Sequence, residues 1–258
     1  MLGYISQLIT KTRVMAGVGV IKLLHDPTEL ITRAVQPVLW LCIFGEAMSQ
    51  IRAIPTQGFT YLQFITPGVL TQSVTFVAIF YGLDIIMERD TGLLQKILVT
   101  PTPRLALVWG KMLSASVRGV SQAVVVLFLA LILNIHLRVS FISIGGVLIL
   151  IVLGASFFTG FSMIIASIVK TRERFMGIGQ TITLPLFFAS NAIYPISIMP
   201  SWLQAIANIN PLSYMVDGIR ALLVTGNLTR LSYDIVILIV ATFIISLLSA
   251  YMYPKVVI

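Results

Sequence analysis

Apolar positions run through this chain in long uninterrupted blocks rather than in stripes. Val139–Val169 carries no Asp, Glu, Lys or Arg over 31 residues, and Phe175–Val216 carries none over 42. A helix on a soluble core needs a polar face every few residues. These blocks have none, and about 20 mostly apolar residues are enough to cross the roughly 30 Å hydrocarbon layer. The pattern predicts six crossings, at Leu30–Met48, Leu62–Met87, Leu105–Ile135, Phe141–Val169, Phe175–Tyr194 and Tyr233–Tyr253. The alternating segments of a membrane barrel are absent. The expected fold is an all-α integral membrane protein: a single transmembrane domain over residues 1–258 with six transmembrane helices. An amphipathic interfacial helix precedes them, and an outer re-entrant hairpin separates the fifth from the sixth.

Three regions depart from simple crossings. Residues 1–27 place Ile5, Leu8, Ile9, Thr12 and Val14 among Lys11, Arg13 and Lys22, then break at Asp26-Pro27. This predicts a basic helix along the inner membrane surface, with a loose basic tail as the competing arrangement. The uncharged run over 175–216 is too long for one crossing and holds Pro185, Pro195, Pro200 and Pro211. One crossing plus a hairpin over 195–216, dipping into the outer leaflet, accommodates it; such broken backbone at membrane depth must be covered by protein or line a water-filled cavity. The loop 88–111 is dense in charge and turn residues. Asp90 or Thr91 can cap a short helix Gly92–Val99 that Thr100-Pro101 ends. Its Leu93, Leu94, Ile97 and Leu98 need cover, from a partner subunit or from the lipid surface.

Composition agrees. Of the 258 residues 58% are hydrophobic and 10% charged, against about 25% charged in soluble domains, and the mean hydropathy is +1.01. A soluble enzyme, a disordered chain and a DNA-binding module are excluded. The net charge of +8 follows from the enrichment of Lys and Arg in cytoplasmic loops rather than from a nucleic-acid partner. With both termini inside, 12 of the 17 Lys and Arg lie on the cytoplasmic side, 4 on the other, and Arg118 within the third crossing. Lys11, Arg13 and Lys22 also argue against a signal peptide. Cys42 is the single cysteine, so no internal disulfide forms.

No phosphate-binding loop of the G-x-x-x-x-G-K-[ST] type occurs. His25 and His136 fall on opposite sides of the membrane, so no metal site is expected, and no catalytic constellation is found. The midplane is nearly empty of ionisable residues, and Asp84 and Arg118 are the exceptions. Asp84 is one turn before Glu88, about 6 Å above the inner boundary, and Arg118 two turns after Lys111, about 10 Å above it. They can meet as an intramembrane pair, which avoids the roughly 2.5–3.5 kcal/mol of an unpaired charge. Arg118 snorkelling alone and a proton-relay role for Asp84 are the alternatives. Small residues four apart, Ala115 and Gly119, Ser156 and Gly160, permit close helix approach.

Two stretches resemble the membrane subunit of ABC-2-type exporters. The first is Glu88-Arg89-Asp90-Thr91-Gly92-Leu93-Leu94-Gln95-Lys96-Ile97-Leu98-Val99-Thr100-Pro101 with the later Gly110-Lys111. Gln95 departs from the acidic residue common in relatives. The second comprises Tyr194-Pro195, Met199-Pro200-Ser201-Trp202-Leu203, Asn210-Pro211-Leu212-Ser213-Tyr214 and Asp217-Gly218-Ile219-Arg220.

The resemblance implies a homodimeric pathway in the plasma (inner) membrane, powered by two copies of a separate ATP-binding cassette subunit. ATP and Mg would be bound there, leaving this chain without cofactor or enzymatic activity. Glu88, Arg89, Asp90, Gly92, Leu93, Leu94 and Lys96 would couple to that subunit. Tyr194, Pro195, Pro200, Trp202, Asn210, Pro211 and Tyr214 would form the outer hairpin near the exit gate, although Trp202 and Tyr214 also suit interfacial anchors. Crossings one, two and five would line the pathway, through Trp40, Phe44, Phe76, Phe80, Phe187 and Phe188, unless these face lipid or the core. The absence of a large outer domain and of midplane polar groups favours a lipophilic, drug-like or lipid substrate. A polysaccharide or glycolipid path is the alternative. An ion-coupled secondary transporter would need midplane acids and an internal repeat, and neither is seen.

Overall fold

The computed structural model describes residues 2–25, 27–51, 56, 58–99, 102–169 and 171–253. Asp26, Arg52, Thr100, Pro101, Lys170 and Lys255, used above to mark breaks and charge, lie outside them, as do the side chains of Ile5, Lys22 and Leu98.

Eleven α-helices are described: α1 (Leu2–His25), α2 (Pro27–Val38), α3 (Glu46–Ile51), α4 (Tyr61–Asp90), α5 (Leu93–Val99), α6 (Arg104–Ile132), α7 (Phe141–Ile168), α8 (Arg172–Phe188), α9 (Ser201–Ile209), α10 (Pro211–Arg220) and α11 (Leu231–Met252). No strand occurs among the described residues. Helices α4, α6, α7 and α11 are long and apolar enough to cross a membrane.

The other two predicted crossings are built differently. The first is a continuous helical run through α2 and α3, joined by a π-helical stretch Leu39–Gly45. Pro37, which lacks an N–H and cannot donate an α-helical bond, precedes that stretch. The fifth is shorter than predicted. Helix α8 has 17 residues and stops at Phe188, not Tyr194. The chain then turns, and the Ala189 N–H closes onto the Pro185 carbonyl at 2.8 Å. Arg172, Glu173 and Arg174 occupy its first turn, which shortens the apolar part further.

Local chemistry sets the starts. Thr60 and Gln63 form a reciprocal capping box at α4. Ser140 caps α7 through Ser143 N at 3.1 Å, and Thr171 caps α8 through Arg174 N at 3.3 Å. Asn210 caps α10 through Leu212 N at 3.0 Å, with Pro211 in the first helical turn.

Helix α4 is the axis of the bundle, buried on nearly every face against α6, α7, α8 and α10. The main core joins Leu70, Val74 and Ile79 of α4 to Val126 of α6, Ile151 and Phe158 of α7, and Met215 and Ile219 of α10. Hydroxyls cross between helices. Ser116 meets Ser156 at 3.2 Å, Ser249 donates to the Gly160 carbonyl at 2.8 Å, and Ser162 donates to that of Ile79. Small and polar residues at contacts are what helices need in lipid, where apolar burial drives no association.

Helix α1 forms as expected but packs flank to flank with α6. Met15 lies on Gly110, and Ser114 Oγ donates to the Ala16 carbonyl at 3.2 Å. Thr12, Gly19 and Leu23 are buried on that side, while Val14, Val18 and Ile21 are exposed on the other.

Gly68 marks a close approach of another segment's backbone to α4. A methyl group there would collide with the Ala192 backbone carbonyl, which no rotamer change relieves. Gly68→Ala is expected to cost about 2 kcal/mol through overpacking. Thermal unfolding of the purified protein should show a lowered midpoint, whereas Gly17→Ala, with open space around its site, should leave it unchanged.

Candidate functional site

The C-terminal end of α4 runs unbroken through Asp90, and this places two acids on its α6-facing side, Asp84 and Glu88. Arg118 Nη1 lies 3.3 Å from Asp84 Oδ2, and Lys111 Nζ pairs with Glu88 Oε2. The four side chains are 33%, 12%, 8% and 6% exposed for Asp84, Glu88, Arg118 and Lys111. The Tyr81 ring stands beside both cations, 5.0 Å from the Arg118 guanidinium and 6.0 Å from Lys111 Nζ, distances at which the ring face attracts charge.

The arithmetic that joins Asp84 to Arg118 also joins Glu88 to Lys111, one turn away on α4 and two on α6. Sequence reasoning nonetheless assigned Glu88 to the exposed coupling surface. The structure places the Glu88 side chain inside the bundle, paired with Lys111.

Beyond it the chain turns sharply. Thr91 Oγ1 donates back to the Met87 carbonyl at 3.0 Å, so it closes α4 rather than opening α5. Gly92 follows at φ +70°, a conformation that side chains disfavour, and α5 starts at Leu93, one residue later than predicted. Asp90 is held by Arg89 Nη2 at 3.0 Å and by Arg172 Nε at 3.1 Å, which fastens the corner to the start of α8. Arg172 is a partner that sequence reasoning missed; its only signal was membership of the basic cluster on the same side.

The predicted apolar face of α5 is divided. Leu94 is fully buried in its own chain, against a cluster with Ile85, Leu107, Met112 and Tyr253. Leu93, Gln95, Lys96 and Val99 are exposed, Val99 at 86%. The surface available to a partner is therefore Leu93, Lys96 and Val99, with Leu94 as the anchor beneath.

Of the aromatic residues predicted to line a pathway, Trp40, Phe44, Phe187 and Phe188 come together. Ring centroids are 4.9 Å apart for Trp40–Phe44, 5.3 Å for Trp40–Phe187 and 5.8 Å for Phe187–Phe188. Phe187 is fully buried and lines nothing in this conformation, because Trp40 covers it. Phe76 and Phe80 form a separate pair at 4.5 Å, and Phe76 lines a cleft with Gln36, Ser73 and Gln122.

At the opposite end, the segment between α8 and α11 is a single-turn 3-10 helix Ile196–Ile198 after Pro195, then α9 after Pro200, then α10. Asn210 joins them and donates to the Leu186 carbonyl at 2.7 Å and that of Ala189 at 3.1 Å. Tyr194 Oη donates to Phe188 O at 2.7 Å, and Tyr214 Oη to Asn208 O. Trp202 is 65% exposed. Sequence reasoning missed the role of Arg220, which donates to the carbonyls of Phe64 at 3.2 Å and Asn191 at 2.7 Å.

Breaking one half of the inner ion pair should cost more than removing both. Lys111→Met, which removes a cation from beside the buried Glu88 carboxylate, is expected to cost about 3–5 kcal/mol. Adding Glu88→Leu should recover most of that loss in thermal unfolding. For the second pair, Asp84→Arg and Arg118→Asp should each destabilise and the double exchange should restore stability.

A family model described as ABC-2 type transporter matches residues 10–224. "Putative transport permease ycf38" of Cyanophora paradoxa is 32% identical over 206 residues, covering 78% of this chain and 70% of the relative. "Daunorubicin resistance ABC transporter permease protein DrrB1" of Streptomyces coeruleorubidus is 29% identical over 200 residues, covering 77% and 70%. "Inner membrane transport permease YadH" of Escherichia coli (strain K12) is 24% identical over 200 residues, covering 74% and 73%.

Proposed function

This chain belongs to the ABC-2 type transporter family, and from that premise we propose that it is the pathway-forming subunit of an ATP-driven exporter. Two copies form the pathway, and two ATP-binding subunits dock beneath them and hold ATP and Mg. The α5 end is cytoplasmic, both termini are inside the plasma (inner) membrane, and the chain crosses six times, the run 27–51 and α8 supplying the first and fifth passages.

The observation that carries this reading is the construction of the α4–α5 corner. Leu93, Lys96 and Val99 are exposed on a short helix whose Leu94 is fixed in the bundle, directly beyond two helices tied by paired charges. A push on that surface is delivered to α4 and α6 rather than absorbed in a loose loop. Rigid elements that repack between two arrangements are how such a push becomes opening.

For the substrate we favour a lipophilic, drug-like or lipid molecule. Support comes from an apolar cavity of about 510 Å³ between α6 and α7, lined by Val120, Leu127, Leu131, Ile144 and Leu148 among others. A polysaccharide or glycolipid substrate is the second reading, and the partly exposed rings of Trp40 and Phe44, 4.9 Å apart, favour it.

Co-expression with the cognate ATP-binding subunit should give a stable complex at about one to one, and substrate should stimulate its hydrolysis in liposomes. Gly92→Pro should keep the complex while lowering transport at least tenfold, since proline is fixed near φ −65° and cannot adopt +70°. Unaltered transport by this variant would remove the corner from the coupling route.

A further inference from the structure

The end opposite α5 contains a cavity of about 430 Å³ between the start of α4, the turn after α8, α10 and the start of α11. Phe59, Phe64, Asn191, Asp217, Arg220 and Asp234 line it. Its volume lies in the range of small-molecule sites.

The polar groups in it are unevenly matched. The Arg220 cation is already spent. Its guanidinium lies 3.9 Å from the Phe64 ring centroid, its Nη2 serves two carbonyls, and its Nη1 is 3.6 Å from Asp217 Oδ1. Asp217 also accepts from Asn191 Nδ2. What remains is mostly acceptor. Asn191 is 3% exposed and its Oδ1 has no partner. Asp234 is 4% exposed, and among the described residues no side-chain donor hydrogen-bonds its carboxylate. The charges acting on Asp234 are Asp217 and the exposed Arg230. Among the described buried atoms of the lining, Arg220 Nε is a donor left over, while Arg230, Ser197 and Thr229 stand exposed at the rim. A buried acceptor without a donor is costly, and here it shares a cavity with a carboxylate that no side chain donates to, which together ask for a ligand that brings N–H groups and positive charge.

We propose that this cavity binds the ammonium group of an amphiphilic amine, with Asp234 as its counter-ion, Asn191 Oδ1 as an acceptor and Phe59 as its apolar wall. The volume holds a head group and not a long chain, so the tail lies outside, among the apolar helix faces. An aminophospholipid and a drug-like amine share this chemistry. As an exit subsite for exported amines the proposal rests on the exporter reading; as a binding site it does not.

The test is equilibrium binding of dodecylamine to the purified full chain in maltoside micelles, with dodecanol as the uncharged control. Saturable binding of one amine per chain is expected, weakened at least tenfold by Asp234→Asn. Ser197→Trp, on the exposed turn that borders the cavity, should obstruct entry to the same extent while keeping the carboxylate, which covers the case in which Asp234→Asn does not fold. Displacement by phosphatidylethanolamine but not phosphatidylglycerol identifies a lipid head group as the source, and failure of either lipid to displace identifies a free amine. Equal binding by wild type and both variants, or equal binding of dodecanol, overturns the site and leaves the exporter reading intact. Failure to form a complex with an ATP-binding subunit would do the reverse.

Discussion

Helices already immersed in hydrocarbon gain little by exchanging lipid for one another, and this constraint governs how the bundle is held. Close approach and interhelical hydrogen bonds must replace the hydrophobic drive. Around α4 both are in place. Gly68 admits the Ala192 carbonyl, and Gly82 admits Phe175 and Ser162. The hydroxyls of Thr159 and Ser162 reach the backbone of α4, and Ser116 and Ser249 tie α7 to α6 and α11. A helix so enclosed can be nearly free of surface and still sit in a membrane protein.

The ionised groups inside this apolar frame lie toward its two ends, and their treatment differs. Toward α5, Asp84 and Glu88 of α4 each meet a cation of α6, and Tyr81 stands beside both cations. Toward the opposite end, Arg220 gathers carbonyls from α4 and from the turn after α8, together with a carboxylate of its own helix. The first arrangement closes on itself. The second leaves an acceptor over, and it borders a cavity.

How much of this is legible in the sequence depends on how local the cause is. Long apolar blocks locate α4, α6, α7 and α11, because span length follows from membrane thickness. Depth arithmetic brings Asp84 to Arg118, because consecutive antiparallel helices share an end. The division of Leu93 from Leu94 is not legible, since it depends on which side of α5 meets Ile85 and Leu107 after folding. The end of α8 at Phe188 is equally hidden, because Ala192 turns inward onto Gly68 of a distant helix. Arg220 finds its acceptors 29 and 156 residues away, and no spacing rule in one sequence announces such partners.

The double tie between α4 and α6 has a mechanical corollary. One ion pair acts as a pivot; two, a turn apart, forbid both sliding and twisting. Toward α5 the two helices are then held as one unit, at one end of an α4 that is about 45 Å long at about 1.5 Å per residue for 30 residues. Paired helices of this kind tilt together toward α5, while Pro67 interrupts the hydrogen bonding of α4 nearer Tyr61. The compliance that such a tilt demands must come from its neighbours, and the two π-helical stretches, Leu39–Gly45 beside it and Ala221–Thr225 at its far tip, are where the backbone is already loosely wound.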